Sequence, residues 1–173
     1  YQALVIGRAG MDLYPQPDGC KIRDAESFST DLGGSAGNIA VAMSIAGAKV
    51  ALLSALSADA VGEFVRKKLE KAGVDTSLVT TTLGNERTSL ALAEVSQEDC
   101  EVVIYRNNPA DLAFTLTDDI RHAIKNASHL VITGTSLIDS KSRSNIIEAI
   151  NIAQLSGCVI WFDLDYRSWN WKS

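Results

Sequence analysis

Gly33-Gly34-Ser35-Ala36-Gly37-Asn38-Ile39-Ala40 decides how this chain is read. The segment runs into small and apolar residues that end at Gly47, which predicts a helix closed by a C-terminal glycine. Glycines ahead of a helix let another backbone or a ligand come close, and the helix N-terminus offers free N–H groups to an oxygen-rich ligand. A flexible connection into a tightly packed helix is an equal alternative for the motif alone. No Gly-Lys-Ser/Thr follows, so it is not a Walker A loop, and the spacing is not that of GxGxxG.

Working outward, Ala3 to Gly7 and Lys49 to Leu56 are short apolar runs with the look of buried strands. Asp59 can cap a helix that reaches Lys71 and stops at Gly73. Thr117 followed by Asp118 and Asp119 is a helix start, with acids where the helix dipole favours them. His129 to Thr133 is a strand, and Ser140 to Leu155 an amphipathic helix with Ile146, Ile147, Ile150 and Ala153 on one side, stopped by Gly157. Val159 to Phe162 is the next strand. Strands alternating with helices predict a doubly wound, mostly parallel α/β sheet with helices on both faces.

Two stretches interrupt the alternation, near residues 11–32 and 85–106. Both are strand-rich without helices. Ser27 to Leu32 alternates, and Arg87 to Val95 and Cys100 to Arg106 flank a plausible hairpin turn at residues 96–99. They predict a small β layer projecting from the main sheet.

At 173 residues, 46% hydrophobic and 21% charged, the chain fits one soluble globular domain. The net charge of −5 and the lack of a Lys/Arg-rich run leave no electrostatic footprint for nucleic acid or a membrane surface. Cys20, Cys100 and Cys158 are odd in number, far apart and in no CxxC, which argues against a disulfide framework or zinc site and fits a reducing compartment. His122 and His129 have no neighbours that would complete a ligand set. The first residues lack a signal-peptide pattern and no apolar run reaches membrane-span length, so a cytoplasmic location is expected.

Asp12 stands just beyond the first strand, at the end where open α/β sheets hold ligands. A carboxylate there can accept from two sugar hydroxyls; a solvated loop acid is the alternative. Arg106, beside Tyr105, and Arg167 are candidates to hold a carboxylate, because a guanidinium fork matches that geometry better than lysine does. Surface ion pairs are the commoner fate of arginine, and Tyr105 alone would serve as half-buried packing. Trp169 and Trp171 read as cover for an edge of the core. Asn145-Ile146-Ile147-Glu148 spells N-x-x-E on the amphipathic helix and is read as coincidence.

Together these pieces carry a resemblance. Gly33 to Ala40, then Gly47, then Asp59-Ala60-Val61-Gly62, resembles the N-terminal signature of the ribokinase-like (PfkB) carbohydrate kinases. Gly7-Arg8-Ala9-Gly10-Met11-Asp12-Leu13 is similar to that family's first strand and sugar-binding aspartate. Three segments are most similar to the 5-dehydro-2-deoxygluconokinase branch of inositol catabolism: residues 105–112, residues 133–137, and residues 163–167 with 171–173.

The resemblance implies phosphorylation of a sugar-acid hydroxyl with ATP and Mg2+. Asp12, Gly33, Gly34 and Asn38 would hold substrate hydroxyls. Arg106, with Tyr105, and Arg167 would face the carboxylate, and the segments near 11–32 and 85–106 would form a lid over the sugar. A homodimer through that lid is a further implied partner arrangement. Kinases of 2-keto-3-deoxygluconate and of fructose share most of these motifs. Ser57 stands where the family has a glycine.

The family's Gly-Ala-Gly-Asp type segment, with its catalytic aspartate and anion hole, has no counterpart among the 173 residues. No catalytic or metal-binding residue is therefore expected in this chain, which alone would be inert. A non-catalytic sugar-binding or interaction module is the alternative of another class. A dinucleotide-binding oxidoreductase is disfavoured, since only Gly7-x-x-Gly10 follows the first strand. The last strand is expected to expose an unpaired edge and an apolar face, with poor solubility or association as the consequence.

Overall fold

A computed structural model of the chain describes residues 1–95 and 100–166. In chain order the elements are β1 (Ala3–Ile6), β2 (Gly10–Gln16), β3 (Ser27–Gly33), α1 (Ser35–Ile45), β4 (Val50–Leu53), β5 (Ala55–Ser57), α2 (Ala60–Lys71) and β6 (Thr80–Thr82). There follow β7 (Ser89–Ala93), β8 (Val102–Tyr105), α3 (Asp118–Lys125), β9 (His129–Thr133), α4 (Ser140–Leu155) and β10 (Val159–Asp163). One-turn 3-10 helices stand at Ile22–Asp24, Ala110–Ala113 and Gly134–Leu137.

The main sheet has the order β10-β9-β1-β4, all parallel, with Ile6 opposite Leu53 on one side and Ile132 on the other. Buried on both faces, β1, β4 and β9 are nearly continuous apolar runs, as buried parallel strands are, while β10 at the edge is exposed. Alternate side chains feed two separate cores. Ala3, Val5, Val50, Leu52 and Val131 pack with Ala36 and Ala40 of α1 and Val65 and Leu69 of α2. Leu4, Ile6, Leu53, Leu130 and Ile132 pack with Ile120 and Ile124 of α3 and Ile146, Ala149 and Ala153 of α4. The fold is thus α/β and doubly wound.

Local chemistry sets the helix limits. Asp59 accepts from the backbone N–H groups of Val61 and Gly62 at 3.1 and 3.0 Å, and Thr117 from that of Ile120 at 3.3 Å. Asp139, which the sequence reading passed over, caps α4 through Lys141 and Ser142. Gly47, Gly73 and Gly157 stop α1, α2 and α4 where the glycines predicted.

The second sheet has the order β3-β2-β7-β8 and is built entirely from the two strand-rich stretches. Its β2–β3 and β7–β8 pairs are antiparallel and its central β2–β7 pair is parallel. The turn at residues 96–99 lies outside the described residues.

Two expectations need correction. The run from Lys49 to Leu56 is not one strand. It breaks at Ser54, whose carbonyl accepts from Thr80 N–H at 3.1 Å, and β5 then leaves to pair with β6 in a separate two-stranded sheet. Ser57, at its end, exchanges hydrogen bonds with buried Thr88 and donates to Asp59 at 2.8 Å. On α4, Ile147 is exposed and Ala149 takes the core position instead, because the buried stripe follows Ser142, Ile146, Ala149 and Ala153. Among the described residues no helix is long and apolar enough to cross a membrane.

Candidate functional site

The strands of the main sheet all end on one side, and β1 is where the winding reverses. The chain leaves β1 towards β4 with α1 on one face, while β9 and β10 lie on the other side of β1 with α4 on the opposite face. A crevice opens outside the carboxyl ends of the strands at such a reversal. Arg8 follows β1 there, Thr135 follows β9, and Asp165 follows β10.

The second sheet brings its own residues to this crevice. Asp12 on β2 is partly buried and receives the Tyr14 hydroxyl at 3.3 Å. A Cβ at Gly33 would fall on the Asp12 carboxylate, so a larger residue there would displace that acid. Gly34 has φ +90°, and a Cβ there would lie 2.5 Å from the Arg8 carbonyl oxygen. That same carbonyl accepts from Gly37 N–H at 3.1 Å, which ties the start of α1 to the end of β1. Burial holds the Asp12 carboxyl above its ordinary value, against the pull of Arg8 and of the Tyr14 hydrogen bond.

Arg106, directly after β8, is drawn inward. Its Nη2 donates to Asp111 Oδ2 and, at 3.3 Å, to the Thr135 carbonyl. The arginine and aspartate side chains are 10% and 2% exposed. Asp111 also receives the Ser89 hydroxyl at 3.4 Å, and Thr135 donates its own to Asp165 at 2.9 Å. One network therefore joins the second sheet to the ends of β9 and β10. Arg106 Nε and Nη1 are buried without a hydrogen-bond partner. Two guanidinium donors shut away from water and unsatisfied are costly to the fold, and they mark a place built for an acceptor.

Of the residues singled out from sequence, Asp12, Gly33 and Gly34 lie together. Asn38 is exposed one turn into α1, its backbone N–H bonded to the Gly34 carbonyl at 3.0 Å. Tyr105 pairs with Leu90 across β7–β8 and is exposed, and no hydrogen bond joins it to this group among the described residues. Arg106, a candidate to hold a carboxylate with a surface ion pair as the alternative, is paired with Asp111 in the interior rather than at the surface. Arg167, Trp169 and Trp171 lie outside the described residues.

Arg8, Asp111, Thr135 and Asp165 were given no separate role from sequence. Arg8 could have been found by the rule that picked Asp12, since it too follows the first strand. Asn145 and Glu148 have structural work. Asn145 donates to the Phe114 carbonyl at 2.7 Å, and Glu148 accepts from Arg121 at 2.8 and 3.0 Å.

Comparison with known proteins agrees with this geometry. The description "pfkB family carbohydrate kinase" matches residues 2–173. The 5-dehydro-2-deoxygluconokinase of Photobacterium profundum is 37% identical over 171 residues, which is 99% of this chain and 52% of that protein. The protein of that name from Clostridium perfringens is 34% identical over 174 residues, 100% of this chain and 52% of its own length. A fructokinase with bound ATP from Xylella fastidiosa superposes with a TM-score of 0.85 at 26% identity, over 99% of this chain and 54% of that one. The chain spans about half the length of the curated relatives it matches. With the family description covering nearly every residue and the doubly wound sheet to support it, the chain belongs to the PfkB family of carbohydrate kinases.

Proposed function

We propose that this chain supplies the sugar-binding part of a kinase that phosphorylates a hydroxyl of a sugar acid. The substrate we favour is 5-dehydro-2-deoxy-D-gluconate, with ATP as donor. The observation that carries the acid is Arg106, nine-tenths buried with Nε and Nη1 unpartnered at the crevice. A neutral sugar gives those donors only hydroxyls, whereas a carboxylate oxygen gives either of them a charge-assisted bond, roughly twice as strong. The names of the relatives at 34–37% identity support the same acid.

In this reading Asp12 accepts from two sugar hydroxyls, and Gly33, Gly34 and Asn38 hold hydroxyls beside it. Arg106 takes the carboxylate, and Tyr105 and Arg167 are proposed to serve the same group. The second sheet acts as a lid that excludes water, and the Arg106–Thr135 hydrogen bond ties it to the main sheet. The exposed residues of β3 offer that lid a surface for a homodimer. ATP supplies the phosphoryl group, and no residue of this chain is assigned to it. Among the described residues no three His, Cys, Asp or Glu side chains form a group that could hold a metal ion, so none is assigned to Mg2+.

The test is a phosphorylation assay of the protein that carries this chain, against 5-dehydro-2-deoxygluconate, 2-keto-3-deoxygluconate and fructose. A preference for one of the acids is expected, with the 5-dehydro sugar first. A wide preference for fructose would overturn the carboxylate role of Arg106.

A further inference from the structure

We infer that Arg8 is a second cation of the substrate site, clamping the acid group jointly with Arg106 and setting the preference for acidic over neutral sugars. The inference rests on the sugar-acid reading above and adds to it a residue that reading does not use.

Arg8 is the second residue beyond β1, at the reversal point, and its backbone is fixed there. Its carbonyl accepts from Gly37 N–H, and Gly34 presses against the same atom. The side chain is partly buried, yet it makes no hydrogen bond or ion pair with a described residue. Arginines in such places ordinarily find a carboxylate, and here the charges of three act on it. Each is already engaged: Asp111 by Arg106 and Ser89, Asp165 by Thr135, Asp12 by Tyr14.

The electrostatics point the same way. Burial first, then the positive charge of Arg106, pull the Arg8 guanidinium below its ordinary value, against the opposing pull of Asp111, Asp12 and Asp165. Arg106 reaches Thr135 just after β9, and Arg8 stands just after β1, the neighbouring strand, so two guanidinium groups share one end of the sheet, an arrangement an anion relieves. Arg106 contributes the second, independent sign, since its Nε and Nη1 are buried and without partners. A carboxylate between the two arginines would give one of those donors an acceptor and offset the repulsion. The sugar hydroxyls would then lie towards Asp12, which is also close enough for its charge to act on Arg8.

The experiment uses the whole kinase that carries this chain, with wild type, Arg8→Met, Arg8→Lys and Arg106→Met. Calorimetric Kd and kcat/KM are measured for 5-dehydro-2-deoxygluconate and for fructose. Arg8→Met is expected to lower the acid-over-fructose ratio about 10- to 100-fold, the size of one lost charge-assisted bond. Arg8→Lys is expected to recover a good part of the ratio, because the charge remains. If wild type has no acid preference, the sugar-acid reading and this inference fall together. If wild type prefers the acid and Arg106→Met loses that preference while Arg8→Met keeps it, the inference alone is wrong. Equal loss in Arg8→Lys and Arg8→Met would also overturn it, since charge would then not be the cause.

Discussion

Arg106 and Asp111 are both almost out of solvent, so each charge depends on the other. Removing one partner of such a pair strands the other, at about 3–5 kcal/mol, whereas replacing both with apolar groups of similar volume is often close to neutral. Asp111→Asn should therefore lower the unfolding free energy in urea by about that amount, and Arg106→Met with Asp111→Leu by much less. A loss below about 1 kcal/mol for Asp111→Asn would mean that water reaches the arginine. Glu94 gives a pH test. Its carboxylate, 3% exposed, accepts from Lys21 Nζ and Ile22 N–H, both at 2.9 Å, and from Glu101 N–H at 3.2 Å. These bonds, that from Lys21 foremost, hold its pKa down to about 2. A depressed carboxylate stabilises fully above its unfolded value near 4.5 and loses that contribution as pH falls towards 2. The Tm gap between wild type and Glu94→Gln should be widest near neutrality and close across that window; a gap independent of pH would refute the assignment. At this scale the sequence singles out Asp12 and Arg106 as candidates, because strand ends and residue type suffice to name them. It did not show the Asp111 partnership. That pairing needs the turn in which Asn108 takes φ 48° and its carbonyl accepts from Arg87 N–H at 3.1 Å.

Helices were more legible than strands, and α2 explains why. Its start, Asp59, and its stop, Gly73, are local signals that act through neighbours in the chain. Asp59→Ala removes the acceptor for Val61 and Gly62 N–H and for the Ser57 hydroxyl, so a loss of about 1 kcal/mol is expected in chemical denaturation. Asp59→Ser should restore most of it, as a second good cap. No loss in the alanine variant would show that water caps the helix equally well. The break between β4 and β5 had no such local sign. Ser54 lies within an apolar run, and what turns the chain is Thr80, more than twenty residues later, taking its carbonyl. Register and sheet membership are settled by distant partners. For the same reason β6 and the 3-10 turns at Ala110–Ala113 and Gly134–Leu137 went unread.

Across the whole molecule, apolar surface is buried on two faces of the main sheet and left open along one margin. β10 is an edge strand among the described residues, paired only with β9. Val159, Trp161, Phe162 and Leu164 are between 49% and 73% exposed. Trp161 and Phe162 also line an open groove of about 360 Å³ with Ile39, Met43 and Val131. A flat edge with free backbone donors and acceptors is a template for another strand, and contiguous apolar surface adds the driving force. The 173-residue chain by itself should therefore associate, with an apparent mass in light scattering that rises with concentration. Charges on an edge strand oppose such pairing, so Trp161→Lys with Leu164→Lys should hold the chain monomeric. The helices should be unaffected by these exposed positions, and far-UV circular dichroism checks that. A wild-type chain that stays monomeric over a hundredfold range of concentration, about 1 to 100 μM, would mean that this margin is covered from within. A double-lysine variant that associates as wild type does would place the contact elsewhere. The second sheet is the next surface to test, since Phe28, Val102 and Tyr105 are exposed on its outer strands.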